Sequence, residues 1–316
     1  MSLTVLISSL PLDSSRRLPA LETLLSRADV QPAPDDGINA LLAQLFGLTS
    51  PELPVGPLTR LADGGAPDAG YWLRADPVNL VADRDRLVML PLNLLDIQMH
   101  EAQALAERIN GTYETDGIRL ETQEPSRWYL KLPDSPICRT RDPGDIAGGP
   151  VLDYMPDGPD AARVRRLMNE IQMLLHEHPV NQAREAAGMP LINSVWLWGG
   201  GRLPDALTRA PKSVVTDMPL VRGLAMHAGS DCLPWPATPG ALTEGGSELF
   251  AFSGGDTRSL AAIETEFAEP ALAQLRLGNL EEITLYCGTR GYRITRSMLR
   301  RIWRRRRSLA DLVAAA

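Results

Sequence analysis

Apolar and polar positions along the chain divide it into segments of clearly different period. Residues 3–10 form a short, nearly continuous apolar run and predict a buried first strand. Leu18, Leu21, Leu24 and Leu25 follow at helical spacing, and a loop rich in Pro and Asp, residues 31–37, separates them from a second helix over 39–46 that stops at Gly47. Beyond another loop, 64–69, strands are predicted over 71–82 and 87–90 about a turn at Asp83-Arg84-Asp85. A helix over 94–110 and strands over 113–122 and 126–132 come next. The stretch 133–159 reads as loop, and an amphipathic helix over 160–177 turns Val164, Leu167, Ile171, Leu174 and Leu175 inward.

The last third alternates strand and helix. Strands are expected at 194–198, 213–216, 249–253 and 282–287, with helices at 219–229, from 258 onward, and at the C-terminus. Alternation at both ends with a strand-rich middle implies an α/β fold whose core, residues 1–68 and 192–316, is interrupted by an inserted, smaller α+β domain, residues 69–191.

Composition narrows the class. The chain has 316 residues, 44% hydrophobic and 22% charged, as a soluble globular protein does. No apolar run approaches the roughly 20 residues that cross a bilayer, so no transmembrane segment is expected. The start lacks the basic and long apolar regions of a signal peptide, and Cys138, Cys232 and Cys287 are too widely spaced for a metal pair or a disulfide framework. A cytoplasmic location is the expectation. The net charge of -7 argues against a surface given over to nucleic acid. Basic residues are almost all Arg, the lysines being Lys131 and Lys212.

The most distinctive stretch is Val195-Trp196-Leu197-Trp198-Gly199-Gly200-Gly201-Arg202. Its tryptophans share a strand face, and its glycines allow a sharp turn or the close approach of a ligand. Together with His178-Pro179-Val180-Asn181 and Arg184 upstream, it resembles a segment of the archaeal-type, 2,3-bisphosphoglycerate-independent phosphoglycerate mutases. Further matches run in the same order from about Gly37 to about Thr238. Gly37 to Gly47 is similar to the nucleophile loop and helix, and Val55-Gly56-Pro57-Leu58 to a Gly-Arg-Gly-Pro-Leu turn. Trp72-Leu73-Arg74-Ala75-Asp76 is similar to a Phe-Arg-Cys-Asn strand, and Asp142-Pro143-Gly144-Asp145-Ile146 to an Asp-Pro-His-Asp-Ile segment. Asp217, Leu220, Arg222 and Gly223 resemble a later strand-to-helix turn, and Pro236-Ala237-Thr238 a Pro-Gly-Ala-Thr turn. Among bacterial proteins the chain resembles the RpfE-type regulatory proteins, a branch related to these mutases.

The resemblance implies an alkaline-phosphatase-like core sheet flanked by helices. In that superfamily it also implies two divalent metals that activate a Ser or Thr nucleophile for in-line phosphoryl displacement. Four elements of such a site depart from the pattern. Ser8-Ser9 stands where an Asp-Gly pair should follow the first strand, with Asp13 displaced downstream. Ile38 occupies the nucleophile position, and Gly144 that of a histidine. The late His-, Glu- and Asp-rich segment is replaced by Ser253-Gly254-Gly255-Asp256, with no histidine beyond His227. His176 and His178, two apart at a helix end, make a poor metal pair, and His100 and His227 read as ordinary helix histidines. The expectation is a degenerate, non-catalytic phosphoglycerate-mutase-like protein with a regulatory or binding role, without catalytic or metal-ligating residues and without a cofactor. The alternative is an active mutase or phosphatase using manganese or zinc through rearranged ligands.

Arg74, His178, Asn181, Arg184 and Arg202 are the candidates for binding a small anionic ligand, because guanidinium groups suit phosphate and carboxylate. The structural alternative has His178 and Asn181 capping the long helix and Arg184 pairing with an acidic neighbour such as Glu185. Near the C-terminus Arg300, Arg301, Arg304, Arg305, Arg306 and Arg307 are interleaved with Ile302 and Trp303. At helical spacing this is either a basic amphipathic helix for an anionic lipid surface, nucleic acid or an acidic protein partner, or a docking helix with a solvated outer face.

Overall fold

A computed structural model describes residues 2–8, 17–32, 37–48, 53–84, 86–146, 150–235, 248–253, 257–287 and 290–314. The chain opens with β1 (Ser2–Ile7), α1 (Pro19–Arg27), β2 (Asp29–Pro32), α2 (Gly37–Leu45) and α3 (Val55–Ala62). β3 (Tyr71–Val78), β4 (Leu80–Asp83), β5 (Arg86–Met89), α4 (Met99–Tyr113), β6 (Arg119–Glu124) and β7 (Arg127–Leu132) follow. Then come α5 (Ala161–His176), α6 (Pro179–Ala186), β8 (Ser194–Gly201), β9 (Ser213–Thr216), α7 (Pro219–Ala228) and β10 (Asp231–Pro234). β11 (Leu249–Phe252), α8 (Thr257–Ala262), α9 (Glu269–Leu277), β12 (Glu282–Cys287), β13 (Arg290–Thr295) and α10 (Leu309–Ala314) complete it. These elements form two compact units, a split unit of residues 1–52 and 206–316 and a middle unit of residues 53–205.

The split unit is a seven-stranded sheet in the order β10-β9-β11-β1-β12-β13-β2. Its first five strands are parallel, and β13 and β2 are antiparallel additions at one edge. Parallel strands are covered on both faces, which is why β1 and β11 are apolar throughout their inner residues. Phe250, Phe252, Phe267 and Trp235 form an aromatic cluster, with Trp235 and Phe252 centroids 4.2 Å apart. The helix after β11 is not uniform: a π-helical turn, Ile263–Ala268, joins α8 to α9 just before Pro270, which has no N–H to continue the ordinary ladder. In this turn the buried Glu264 accepts hydrogen bonds from the Ala20 and Leu21 amides at 2.6 and 3.0 Å. It thereby caps α1, whose own first residues supply no side-chain cap.

The middle unit is an antiparallel sheet, β6-β7-β3-β8, beside the small β4–β5 hairpin. Alternation gives it two faces of different character. Leu73, Ala75, Leu130 and Leu197 pack with Leu105 and Ile109 of α4 and with Val164, Ile171 and Leu175 of α5. The opposite face, against which α3 packs, carries Trp72, Arg74, Asp76, Arg127 and Tyr129.

Several expectations from the sequence are corrected here. The tryptophan strand does not belong to the core formed with residues 1–68: β8 pairs with β3 along its length, so the unit boundaries fall near 53 and 205, not 69 and 191. The three glycines continue β8 instead of ending it. A side chain at Gly199 would meet Val55, one at Gly200 the Tyr71 hydroxyl, and one at Gly201 Pro54, so the glycines let neighbouring chain lie directly on the strand. Val55-Gly56-Pro57-Leu58 forms the first turn of α3, and a Cβ on Gly56 would lie 2.6 Å from the Trp72 carbonyl oxygen.

The arginine-rich C-terminal segment is not an amphipathic helix. A 3-10 turn, Arg296–Arg300, leads into non-helical backbone, and α10 begins only at Leu309. In a helix Arg300 and Arg304, and Arg301 and Arg305, would repel at i,i+4 spacing, and the groups that Arg301, Arg304 and Arg306 reach on α1, Ala28 and β2 hold a non-helical course instead. Pro236-Ala237-Thr238, Asp13 and Asp256 lie outside the described residues. Among the described residues no helix is long and apolar enough to cross a membrane.

Candidate functional site

The polar face of the middle sheet holds the densest set of charged and aromatic groups in that unit. β3 places Arg74 and Asp76 two residues apart and hence on the same face. Arg74 Nε and Nη2 both donate to Asp76 Oδ1, at 2.9 and 2.5 Å, and both residues are buried. Asp76 Oδ2 accepts from Trp198 Nε1 at 2.7 Å, so both carboxylate oxygens are engaged. The guanidinium carbon lies 5.3 Å from the Trp198 ring centre and 5.6 Å from that of Tyr129, within cation–π range. Next to this group, Asp63 at the C-terminus of α3 accepts both Arg127 Nε and Nη2, at 2.8 and 2.7 Å, and the Tyr129 hydroxyl.

The electrostatics follow from burial. Burial pushes the Asp76 carboxyl above its ordinary value, although Arg74 and Trp198 pull it back. The Arg74 guanidinium keeps its charge, and its two bonds to Asp76 Oδ1 favour the carboxylate against that burial. Asp142 is also raised, first by burial and then by repulsion from Asp145 and Asp76, against a hydrogen bond from the Gly144 amide at 2.8 Å and attraction to Arg74. Burial and the bond to Asp63 raise the Tyr129 hydroxyl, which therefore stays protonated at neutral pH. The set is charge-compensated: each guanidinium is matched by a carboxylate that neighbouring donors hold in place.

The other candidates are built into the scaffold. His178 is the N-cap of α6, its Nδ1 accepting from the Val180 amide at 3.2 Å; burial and then Arg108 lower its basicity. The Asn181 amide donates to the Leu175 and Ile192 carbonyls and accepts from the Ile192 amide, at 2.8–2.9 Å. Arg184 donates to both Glu101 oxygens, at 2.9 and 2.8 Å, and to the Pro190 and Leu95 carbonyls. Its acidic partner is thus Glu101 on α4, not Glu185. Arg202, at the end of β8, donates to the Ala69 carbonyl and to Ser135 Oγ at 3.3 Å and is exposed. Of the five candidates, three share α6, while Arg74 and Arg202 stand on other elements with other partners.

Sequence reading did not identify Asp76, Asp63, Arg127, Tyr129 or Asp142 as members of this cluster. The Arg74-x-Asp76 spacing was the available signal, since charges two apart on a strand meet on one face. Nothing local could have joined Asp63 to Arg127 and Tyr129 more than 60 residues later.

In the split unit, the C-terminal ends of β1, β9 and β11 are where the resemblance calls for two metals. The described groups there are Ser8, Thr216, Asp217 and Ser253. Ser8 Oγ donates to the Ser253 carbonyl at 2.7 Å, and the Ser253 amide and hydroxyl donate to Asp217 at 2.9 and 2.5 Å. Ile38 lies in α2 and brings no oxygen. One carboxylate engaged with a serine does not fit a two-metal site, which needs several anionic or imidazole ligands for each ion. Among the described residues no group of three His, Cys, Asp or Glu side chains converges.

Comparison with known proteins gives these features a lineage. A sequence model of the family 2,3-bisphosphoglycerate-independent phosphoglycerate mutase matches residues 72–181, all within the middle unit. The chain is 30% identical over 206 residues to a protein from Geobacter sulfurreducens named as a probable mutase of this kind, covering 63% of this chain and 50% of that one. It is 32% identical over 118 residues to the Methanothrix thermoacetophila mutase, covering 36% and 30% of the two chains. A solved Pyrococcus horikoshii protein superimposes over 92% of this chain and 86% of its own with a TM-score of 0.53 at 16% identity, a likeness of fold. The chain is therefore related to the cofactor-independent phosphoglycerate mutases and has a mixed α/β fold with a large, mostly parallel sheet flanked by helices. The match spans half or less of the length of these curated relatives.

Proposed function

We propose that this chain is a phosphoglycerate-mutase-like protein without mutase chemistry, acting as a regulatory or binding protein in the manner of the RpfE-type branch it resembles. The observation that carries this reading is the Arg74–Asp76 ion pair. Arg74 stands at the Arg of the Phe-Arg-Cys-Asn-like strand, and Asp76 replaces the neutral Asn of that pattern with a carboxylate bonded to the guanidinium at 2.5 and 2.9 Å. Negative charge that a substrate would bring is supplied from within. Ile38 at the nucleophile position and the serine-bound Asp217 in the split unit, and Gly144 at the histidine position in the middle unit, support the same reading. A small anionic ligand or a protein is the partner in this account, and a cytoplasmic location accompanies it.

The test is a coupled assay of 3-phosphoglycerate interconversion with 2-phosphoglycerate in added manganese or zinc, on full-length protein whose metal content is measured in parallel. The account expects neither stoichiometric metal nor turnover above background. Two bound metals per chain with turnover would establish the rival, an active enzyme with rearranged ligands.

A further inference from the structure

The C-terminal segment leaves a second charged region that the mutase-like reading does not use. It is strapped to α1 and β2 by its own arginines. Arg301 grips both oxygens of Asp29, and Arg304 donates to the Ala28 carbonyl at 2.6 Å and lies 3.3 Å from Asp29. Arg306 lies 3.5 Å from the buried Glu22, which Arg17 also holds. The Arg307 amide donates to Ser26 Oγ at 3.0 Å, and in return Arg27 donates to the Leu299 carbonyl at 2.6 Å. Beneath the strap, Met298, Leu299, Leu309 and Leu312 pack on the core.

What the clamps leave outward is specific. Ile302 and Trp303 are 79% and 74% exposed, side by side at the tip of the strap. Arg300 and Arg305 flank them, both exposed, and among the described residues neither has an acidic partner. Two guanidiniums without an acidic partner among the described residues, flanking an aliphatic–indole pair in the sequence, stand out on a chain of net charge -7.

We propose that this tip docks on an anionic membrane surface, with Ile302 and Trp303 entering the headgroup region and Arg300 and Arg305 meeting lipid phosphate and carboxylate. The indole is suited to the water–lipid boundary, where its ring is buried and its N–H stays hydrated. Two adjacent apolar side chains are far too small for a specific protein interface, which needs roughly 1,600 Å², yet they are ample for insertion aided by positive charge. Nucleic acid would use the guanidiniums but gain nothing from Ile302. The clamps to Asp29 and Glu22 hold the tip in place beforehand, so little ordering entropy is lost on docking.

Flotation of full-length protein with phosphatidylcholine vesicles, with and without phosphatidylserine, tests the proposal. Binding is expected only to the anionic vesicles and should weaken as salt is raised. Arg300→Gln with Arg305→Gln should reduce it by about fivefold for each guanidinium. Ile302→Ser with Trp303→Ser should reduce it by about tenfold or more. All four side chains are exposed, so the variants should melt like the parent protein. Met173→Ser, at an exposed apolar site of the middle unit, should bind vesicles as the parent does. Absence of anionic-vesicle binding, equal binding to neutral vesicles, or unchanged binding by the Ile302/Trp303 variant overturns the proposal. So does duplex DNA binding that depends on Arg300 and Arg305 but not on Trp303.

Discussion

Arg74 and Arg184 in the middle unit carry the same group as Arg300 and Arg305 in the split unit, in opposite circumstances. The first two are buried, and every strong contact they make is internal: Asp76 for one, Glu101 and two backbone carbonyls for the other. The second two stand in water without an acidic partner among the described residues. An arginine in a sequence announces charge. Whether that charge is available to a ligand depends on which carboxylate folds against it. By this measure the arginines on the polar face of the middle sheet and Arg184 are internally satisfied, whereas the strap presents arginines without an acidic partner among the described residues.

The comparison can be broken most forcefully at Arg184. Replacing it with Ala strands a largely buried Glu101 and frees two carbonyls, and should cost about 3–5 kcal/mol in denaturant unfolding. A loss near that of an exposed pair would mean the guanidinium is solvated after all. Asp76→Asn should cost less, at most about 1.5 kcal/mol, since burial disfavours the carboxylate and the amide oxygen can still accept from Arg74 or Trp198. It also sharpens the pH profile. The folded-state pKa of Asp76 lies above its unfolded value, so the folded state binds the proton more tightly. The parent's stability should therefore rise as pH falls through that raised value towards about 3.8, and the variant should lack this contribution.

Asp68 tests the opposite sign. Partial burial pushes its carboxyl up, but donation from Trp72 Nε1, Lys131 Nζ and the Gly70 amide outweighs this and holds it at about 2. Its contribution is complete above the ordinary value of 3.8 and is lost as pH falls through about 2. Asp68→Asn should flatten the acid limb of the stability curve in that window, read by thermal unfolding at stepped pH. The smallest effect is expected at the strap. Arg301→Gln removes a solvent-exposed pair with Asp29 and should lower the thermal midpoint only slightly, and less in high salt.

Much of the fold was legible because its signals are local. The apolar run of β1, the spacing of Leu18, Leu21, Leu24 and Leu25, the inner face of α5 and strands β9 and β12 follow from period alone. The failures share a cause in long-range contact. β8 was assigned to the wrong unit because pairing with β3, not composition, decides its sheet. β13 lies beyond the predicted strands, and its antiparallel partners β12 and β2 are what make it one. The arginine segment has a helical pattern on paper, but Asp29, Glu22 and the Ala28 carbonyl hold it in a non-helical course. In the site the same holds: Arg74 was visible, whereas Asp63, Arg127 and Tyr129 become neighbours only when α3 lies on the sheet.

The central claim is that Asp76 takes the place of an external anion at Arg74. Thermal unfolding of the parent protein and of Asp76→Asn, each with and without 3-phosphoglycerate, addresses it most directly. If the claim holds, the parent's midpoint is indifferent to the ligand, while the variant recovers part of its lost stability as ligand concentration rises. Stabilisation of the parent equal to that of the variant would contradict it, because Arg74 would then be free to bind an anion with Asp76 in place.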